Sequence, residues 1–286
     1  MRIVDTYPAI ASSYEGTTFC FEKWKSYIDS VLPNASSLFI SDAEQCLKAG
    51  KFSWEQDYLP LLNVVMLHDE LRAEAHASFR KATDHLARSI YDQFGKDLDV
   101  DIVFYLGLCN AAGWVTAYQG KKTIFLGIEK IMELNWCGID DMYGLIYHEL
   151  GHVYQAQYGV LHRTINHHAD CFLWQLFTEG IAMYFEQILI GDPHYYHQDK
   201  SGWKSWCDDH FNKIKEDFNQ DLKTMTRESQ RYFGDWVSYH GHSDVGYYLG
   251  CRFVRYILSL YEFDEAICFD MDIVSKLYNQ FIHLLE

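Results

Sequence analysis

Two histidines four residues apart, with a glutamate directly after the first, stand at His148-Glu149-Leu150-Gly151-His152. On a helix, side chains at i and i+4 share a face, one turn apart. Both imidazoles can then reach one ion, at about 2.0–2.1 Å from each ring nitrogen. Glu149 projects roughly 100° away from His148, where it meets a water on the ion rather than the ion. HExxH on a helix therefore predicts a zinc-activated water as nucleophile, with Glu149 as its general base. The competing reading is a pair of surface histidines, since fourteen occur in the chain. Leu145, Ile146, Leu150 and Val153 argue against it, because buried imidazoles and carboxylates need partners. Gly151 inside a helix costs about 1 kcal/mol relative to Ala, and such a glycine marks close packing or a site.

Zinc in a catalytic site takes three protein ligands and keeps one position open. Glu179 supplies a third, in the apolar stretch Phe177-Thr178-Glu179-Gly180-Ile181-Ala182-Met183-Tyr184-Phe185-Glu186. A carboxylate among Phe, Leu and Ile is costly without a cation. Gly180 and Ala182 would let this segment approach the HExxH helix closely. Most helical glutamates face solvent, so other ligands stay open: His162, His167, His168 and Asp170 fall in the intervening loop. The longer HExxHxxGxxH pattern fails, because Gln155 and Tyr158 occupy its Gly and last His positions.

HELGH followed by TEGIAMYFE resembles the gluzincin clan of zinc peptidases, in which the third ligand is a Glu on the next helix. In the aminopeptidase N-type enzymes the second motif reads NEGFA; here Thr178 replaces the Asn and Ile181 the Phe, after a longer loop. The resemblance implies His148, His152 and Glu179 as zinc ligands and Glu149 as base. It extends to Val245-Gly246-Tyr247-Tyr248-Leu249-Gly250, where Tyr247 takes the place of a tyrosine that hydrogen-bonds the oxyanion. Tyr248, His240 and His242 lie close enough in sequence to compete for that role. The Gly-x-Met-Glu-Asn strand that anchors a substrate amine in those enzymes is missing; the corresponding region reads Asn110-Ala111-Ala112-Gly113-Trp114. The pattern is also similar to uncharacterised bacterial predicted zinc-dependent proteases, and covers roughly residues 100–260.

The elements that must carry these residues follow from periodicity and punctuation. The first hundred residues read as helical, with one helix at 21–31 before Pro33 and a longer one at 58–94 stopped by Gly95. Runs at 100–108, 111–118 and 121–128 read as two or three strands, with a hairpin across Gly120. Helices follow at 140–158, 169–190, 205–222 and 243–261, the last capped by Ser243. The expected fold is α+β and mostly helical: a helical region over 1–98, then a zincin-like region over 99–286. A small mixed sheet should pack on the HExxH helix, its outer strand along the substrate.

Bulk composition limits the partners. The formal net charge of −16 disfavours nucleic acid and anionic membranes, which reward clustered Lys and Arg. Apolar residues make up 49%, enough for a large core. No apolar leader follows Met1 and no stretch suits a membrane span, so a cytoplasmic location is expected. The eight cysteines form no CxxC pair and read as reduced thiols. The expected activity is zinc-dependent hydrolysis of peptide or amide bonds, of restricted endopeptidase or other peptidase type, on a peptide or protein. The rival is a non-catalytic binding protein stabilised by its metal, which would close the fourth zinc position and leave Glu149 idle.

Overall fold

The computed structural model describes residues 1–165 and 167–284. The chain is α+β and mostly helical, with a small mixed sheet. Its contacts divide it into two compact units, Met1–Glu149 and Leu150–Glu286, and the boundary falls inside one continuous helix.

The first unit contains β1 (Arg2–Asp5), the short pair β2 (Tyr14–Glu15) and β3 (Thr18–Phe19), and helices α1 (Phe21–Val31) and α2 (Ser36–Lys48). Then come α3 (Leu59–Leu67), α4 (Asp69–Thr83) and α5 (Leu86–Phe94). Strands β4 (Asp101–Tyr105), β5 (Gly113–Tyr118) and β6 (Lys121–Gly127) precede α6 (Ile128–Glu133) and the first half of α7 (Ile139–Tyr158). The main sheet runs in the order β1-β4-β6-β5. Strand β4 is parallel to both neighbours, and β5 is antiparallel to β6. Every residue of β4 is buried, because helices cover both faces of a parallel strand. Alternation then assigns the side chains: Phe104 stacks on Phe79 of α4 at 4.7 Å, and Tyr105 stacks on Phe39 of α2 at 4.7 Å. Phe39 also meets Phe125 of β6 edge-on at 5.1 Å.

The expected helix at 21–31 is α1, and the hairpin across Gly120 is β5–β6. The expected helix at 58–94 is three helices, broken at His68 and at His85, whose φ of 57° no α-helix accepts. The first hundred residues are not all helical, since Arg2–Asp5 pairs with β4 and the sheet draws on both sides of residue 98.

Glu129, in the first turn of α6, is 0% exposed. Its carboxylate accepts the Gly107 N–H at 2.9 Å and the Cys109 N–H at 3.0 Å, fastening the chain between β4 and β5. Burial pushes its pKa up from 4.5 to about 7, against those two hydrogen bonds. The folded state therefore holds a proton that the unfolded chain has released between these values. Stability from this group is full below about pH 4.5 and is lost as pH rises through about 7, an effect of about 3 kcal/mol at 1.36 kcal/mol per pH unit. Urea titrations across that range should show the loss in wild type and not in Glu129→Gln. Equal pH slopes would contradict it.

The second unit holds the rest of α7, then α8 (His168–Ile190), α9 (Trp203–Asp209), α10 (Phe211–Asp221), α11 (Val245–Leu258), α12 (Phe263–Ala266) and α13 (Met271–Phe281). Helix α8 is apolar nearly all round and correspondingly buried, and it ends on Gly191 at φ 79°. It is wedged between two helices. Gly151 of α7 allows one approach, since a Cβ there would lie 2.7 Å from Ala182 Cα. Gly180 does not serve that contact, as its sequence position suggested. A Cβ on Gly180 would run into the Gly250 carbonyl of α11. The expected helix at 205–222 is two, α9 and α10, interrupted at His210. Ser243 is not the cap of α11: Asp244 occupies that place at φ 60°, without a side-chain capping bond. All eight cysteines are free thiols. No helix among the described residues is long and apolar enough to cross a membrane.

Candidate metal centre

Helix α7 begins with Asp140 and Asp141, whose charges suit the positive end of the helix dipole. Two turns later it carries His148 and Glu149, 5% and 6% exposed. His152 follows one turn on, and Gly151 beside it brings α8 into contact. Close approach of the backbones puts His152 Nε2 3.2 Å from Glu179 Oε2. One donor atom each from His148, His152 and Glu179 all lie within 4.8 Å of one another.

That donor set fits zinc: two imidazole nitrogens and one carboxylate oxygen, three protein ligands with room for a fourth. Bonds of about 2.0–2.1 Å in a tetrahedron place ligand atoms about 3.3 Å apart. The 3.2 Å hydrogen-bonding distance between His152 Nε2 and Glu179 Oε2 is compatible with such an edge.

Glu149 points elsewhere. Gly113 of β5 stands against it, so that a Cβ on Gly113 would lie 2.8 Å from Glu149 Oε1 and 2.9 Å from Leu145 Cδ1. The β5 backbone thus lies along the face of α7 that carries Glu149. Strand β5 is hydrogen-bonded to β6 on one side and is the last strand of the sheet on the other.

The remaining sequence candidates separate by environment. His162, His167 and His168 are exposed and Asp170 is half-buried. None of the four belongs to a group of potential ligands within 4.8 Å among the described residues. Tyr247 lies in the first turn of α11, half-buried, with its ring edge-on to Phe233 at 5.9 Å. Tyr248 is a packing residue. Its hydroxyl donates to Asp208 at 2.8 Å and accepts from Arg252 at 2.9 Å, and burial holds its pKa far above the ordinary value. His242 stacks on Trp206 at 4.0 Å, and His240 occupies a tight turn at φ 51°.

A second group was not anticipated. His148, Glu186 and His197 also offer donor atoms within 4.8 Å of one another, and all three are buried. Glu186 accepts the His197 backbone N–H at 3.2 Å, and His197 Nδ1 lies 2.9 Å from its Oε2. The signal for Glu186 was present in the sequence. It lies seven residues beyond Glu179, two turns along the same face of α8, in an apolar run where a carboxylate needs a partner. His197 gives no local signal, since it follows the turn at Gly191–Pro193 in an irregular segment. Burial raises the pKa of Asp244 from 3.8 to about 6.

No protein-family model matches this chain, and no curated protein or solved structure does either.

Proposed function

We propose that the protein is a zinc-dependent peptidase of gluzincin type, built on a zincin-like arrangement of sheet and helices. The convergence of His148, His152 and Glu179 carries this reading. These three would hold the ion. Bound there, zinc would supply Lewis acidity, polarising a carbonyl and acidifying a water. Glu149, one residue from a ligand and turned toward β5, is placed to take the water's proton and deliver it to the leaving nitrogen. The free edge of β5 suits an extended peptide added as a further strand, with backbone hydrogen bonds for affinity. Gly113 keeps that strand close to Glu149. Tyr247 is the proposed oxyanion donor, a phenol at the start of α11.

The substrate class follows from the same elements. An edge strand reads main chain, so the substrate is a peptide or an unfolded segment of a protein. The absence of an amine-anchoring carboxylate in residues 110–114 favours cleavage within a chain over removal of the first residue.

Elemental analysis of protein purified without chelator should find about one zinc per chain. A screen of N-terminally blocked and unblocked peptides should then show cleavage that a chelator abolishes and added zinc restores. Protein that cannot take up zinc would end this reading.

A further inference from the structure

We propose that Glu129 is a positioning residue for the substrate strand: by holding the segment before β5, it sets where that strand stands against Glu149. This inference deepens the peptidase reading and rests on it, with β5 as the strand that receives substrate and Glu149 as the base.

Residues 106–112 belong to no helix or strand, so their backbone groups need partners from elsewhere. Four successive amides find them in side chains. The Leu106 N–H donates to the Tyr27 hydroxyl at 3.1 Å, and the Leu108 N–H donates to the Asn110 side chain at 3.1 Å. The Gly107 and Cys109 N–H groups both donate to the Glu129 carboxylate, at 2.9 and 3.0 Å. Cys109 stands at φ 58°, a conformation that costs a non-glycine residue energy, and the bond at its amide holds it there.

Glu129 reaches this segment from the right place. It lies two residues past Gly127, the end of β6. The β5–β6 turn is at Gln119–Gly120, so Gly113 and Gly127 lie at the open end of the hairpin. Strand ends fray unless they are held. At this end the Gly127 N–H donates to the Ala112 carbonyl at 3.0 Å, and Glu129 braces the chain just before it.

Close contacts leave the segment little slack. A Cβ on Gly107 would run into Glu129 Oε1, and one on Gly127 would lie 2.7 Å from the Ala111 carbonyl oxygen. A Cβ on Gly113 would lie 2.8 Å from Glu149 Oε1. Cys109, held by Glu129, and Gly113, set against Glu149, are thus four positions apart on one fastened stretch. A general base works only within about 2.6–3.2 Å of the proton it takes. A peptide added to β5 inherits that strand's distance from Glu149, so Glu129 sets the distance without touching substrate.

Two variants attack the contact from opposite sides. Glu129→Gln keeps the size of the side chain but turns one acceptor oxygen into an NH2 group that faces an N–H. Gly107→Ala pushes a methyl group against the same carboxylate, and because Gly107 has no positive φ, the backbone itself accepts alanine. The measurements are amide hydrogen exchange resolved by residue, zinc affinity, denaturant midpoints and steady-state kinetics on one peptide. Both variants should speed exchange at Gly107 and Cys109 and along β5, most at its Gly113 end. Both should keep zinc affinity and lower kcat more than they raise KM, by up to about 10²-fold for a displacement near 1 Å. Either variant alone carries the test if the other does not fold. A shifted denaturant midpoint with unchanged kcat would make Glu129 a purely structural residue and overturn the inference. So would faster exchange confined to Gly107 and Cys109, or a fall in kcat that only follows lost zinc. Wild-type protein that cleaves no peptide while exchange in the variants spreads into β5 would end the peptidase reading and leave the clamp on β5 standing.

Discussion

Replacing Glu149 by Gln should leave zinc bound and lower hydrolysis by about 10²–10⁴-fold, the range that a general base contributes. The amide has the size and shape of the acid, so α7 and its contact with Gly113 should persist. What it lacks is the ability to accept a proton. The loss should therefore fall on kcat and on kcat/KM together, with KM little changed, because the proton moves only in the transition state. A decrease of that size corresponds to about 3–5 kcal/mol of barrier. Steady-state kinetics and zinc content, measured on the same preparation, separate the possibilities. A variant that loses its zinc would make Glu149 a ligand. One that keeps both zinc and activity would remove it from the chemistry.

Glu179→Ala should act on the metal. Two histidines would remain, and neither structural nor catalytic zinc sites are completed by two protein donors. The loss of affinity should exceed the about 10–100-fold expected for supporting residues behind a ligand, and activity should follow zinc occupancy. Stability of the metal-free protein should fall only modestly. The His152–Glu179 contact is largely shielded, 15% exposed on both sides, and loss of a hydrogen bond to a charged group costs about 1.5–3 kcal/mol. Chelator competition and urea unfolding of apo-protein give the two numbers. Wild-type zinc affinity in Glu179→Ala would mean that another donor completes the set, and Glu186 and His197 would be the nearest candidates.

How much of this was legible in the sequence depends on the range of the interaction. Helix α1 and the β5–β6 hairpin are set by local punctuation, Pro33 after one and Gly120 within the other, and both lie where the sequence places them. The breaks at His68, His85 and His210 carry no Gly or Pro, so no local punctuation marks them in the sequence. Helix α2 was not assigned from the sequence, although its Phe39 packs against both β4 and β6. The His148–His152 pair was legible because one helical turn relates its members. Its convergence with Glu179 was an argument from burial cost, and the two side chains do meet. His197 was invisible, because what defines it is a carboxylate eleven residues away that it reaches through an irregular segment.

Strand β1 has a consequence for the order of assembly. Arg2 pairs with Asp101, and the register runs on to Asp5 with Phe104. Closing a loop of that length costs about 4 kcal/mol in chain entropy, before any contact offsets it. During synthesis at about 5–20 residues per second, β1 leaves the ribosome at least several seconds before its partner exists. For that interval Arg2–Asp5 has nothing to pair with. Once β4 and β6 have joined, β4 still presents an open edge bearing Ile102, Val103 and Phe104 until β1 returns. An apolar strand with an unpaired edge is what other nascent chains add to. Deleting the first five residues should therefore lower the yield of soluble protein more than it lowers the stability of the molecules that do fold.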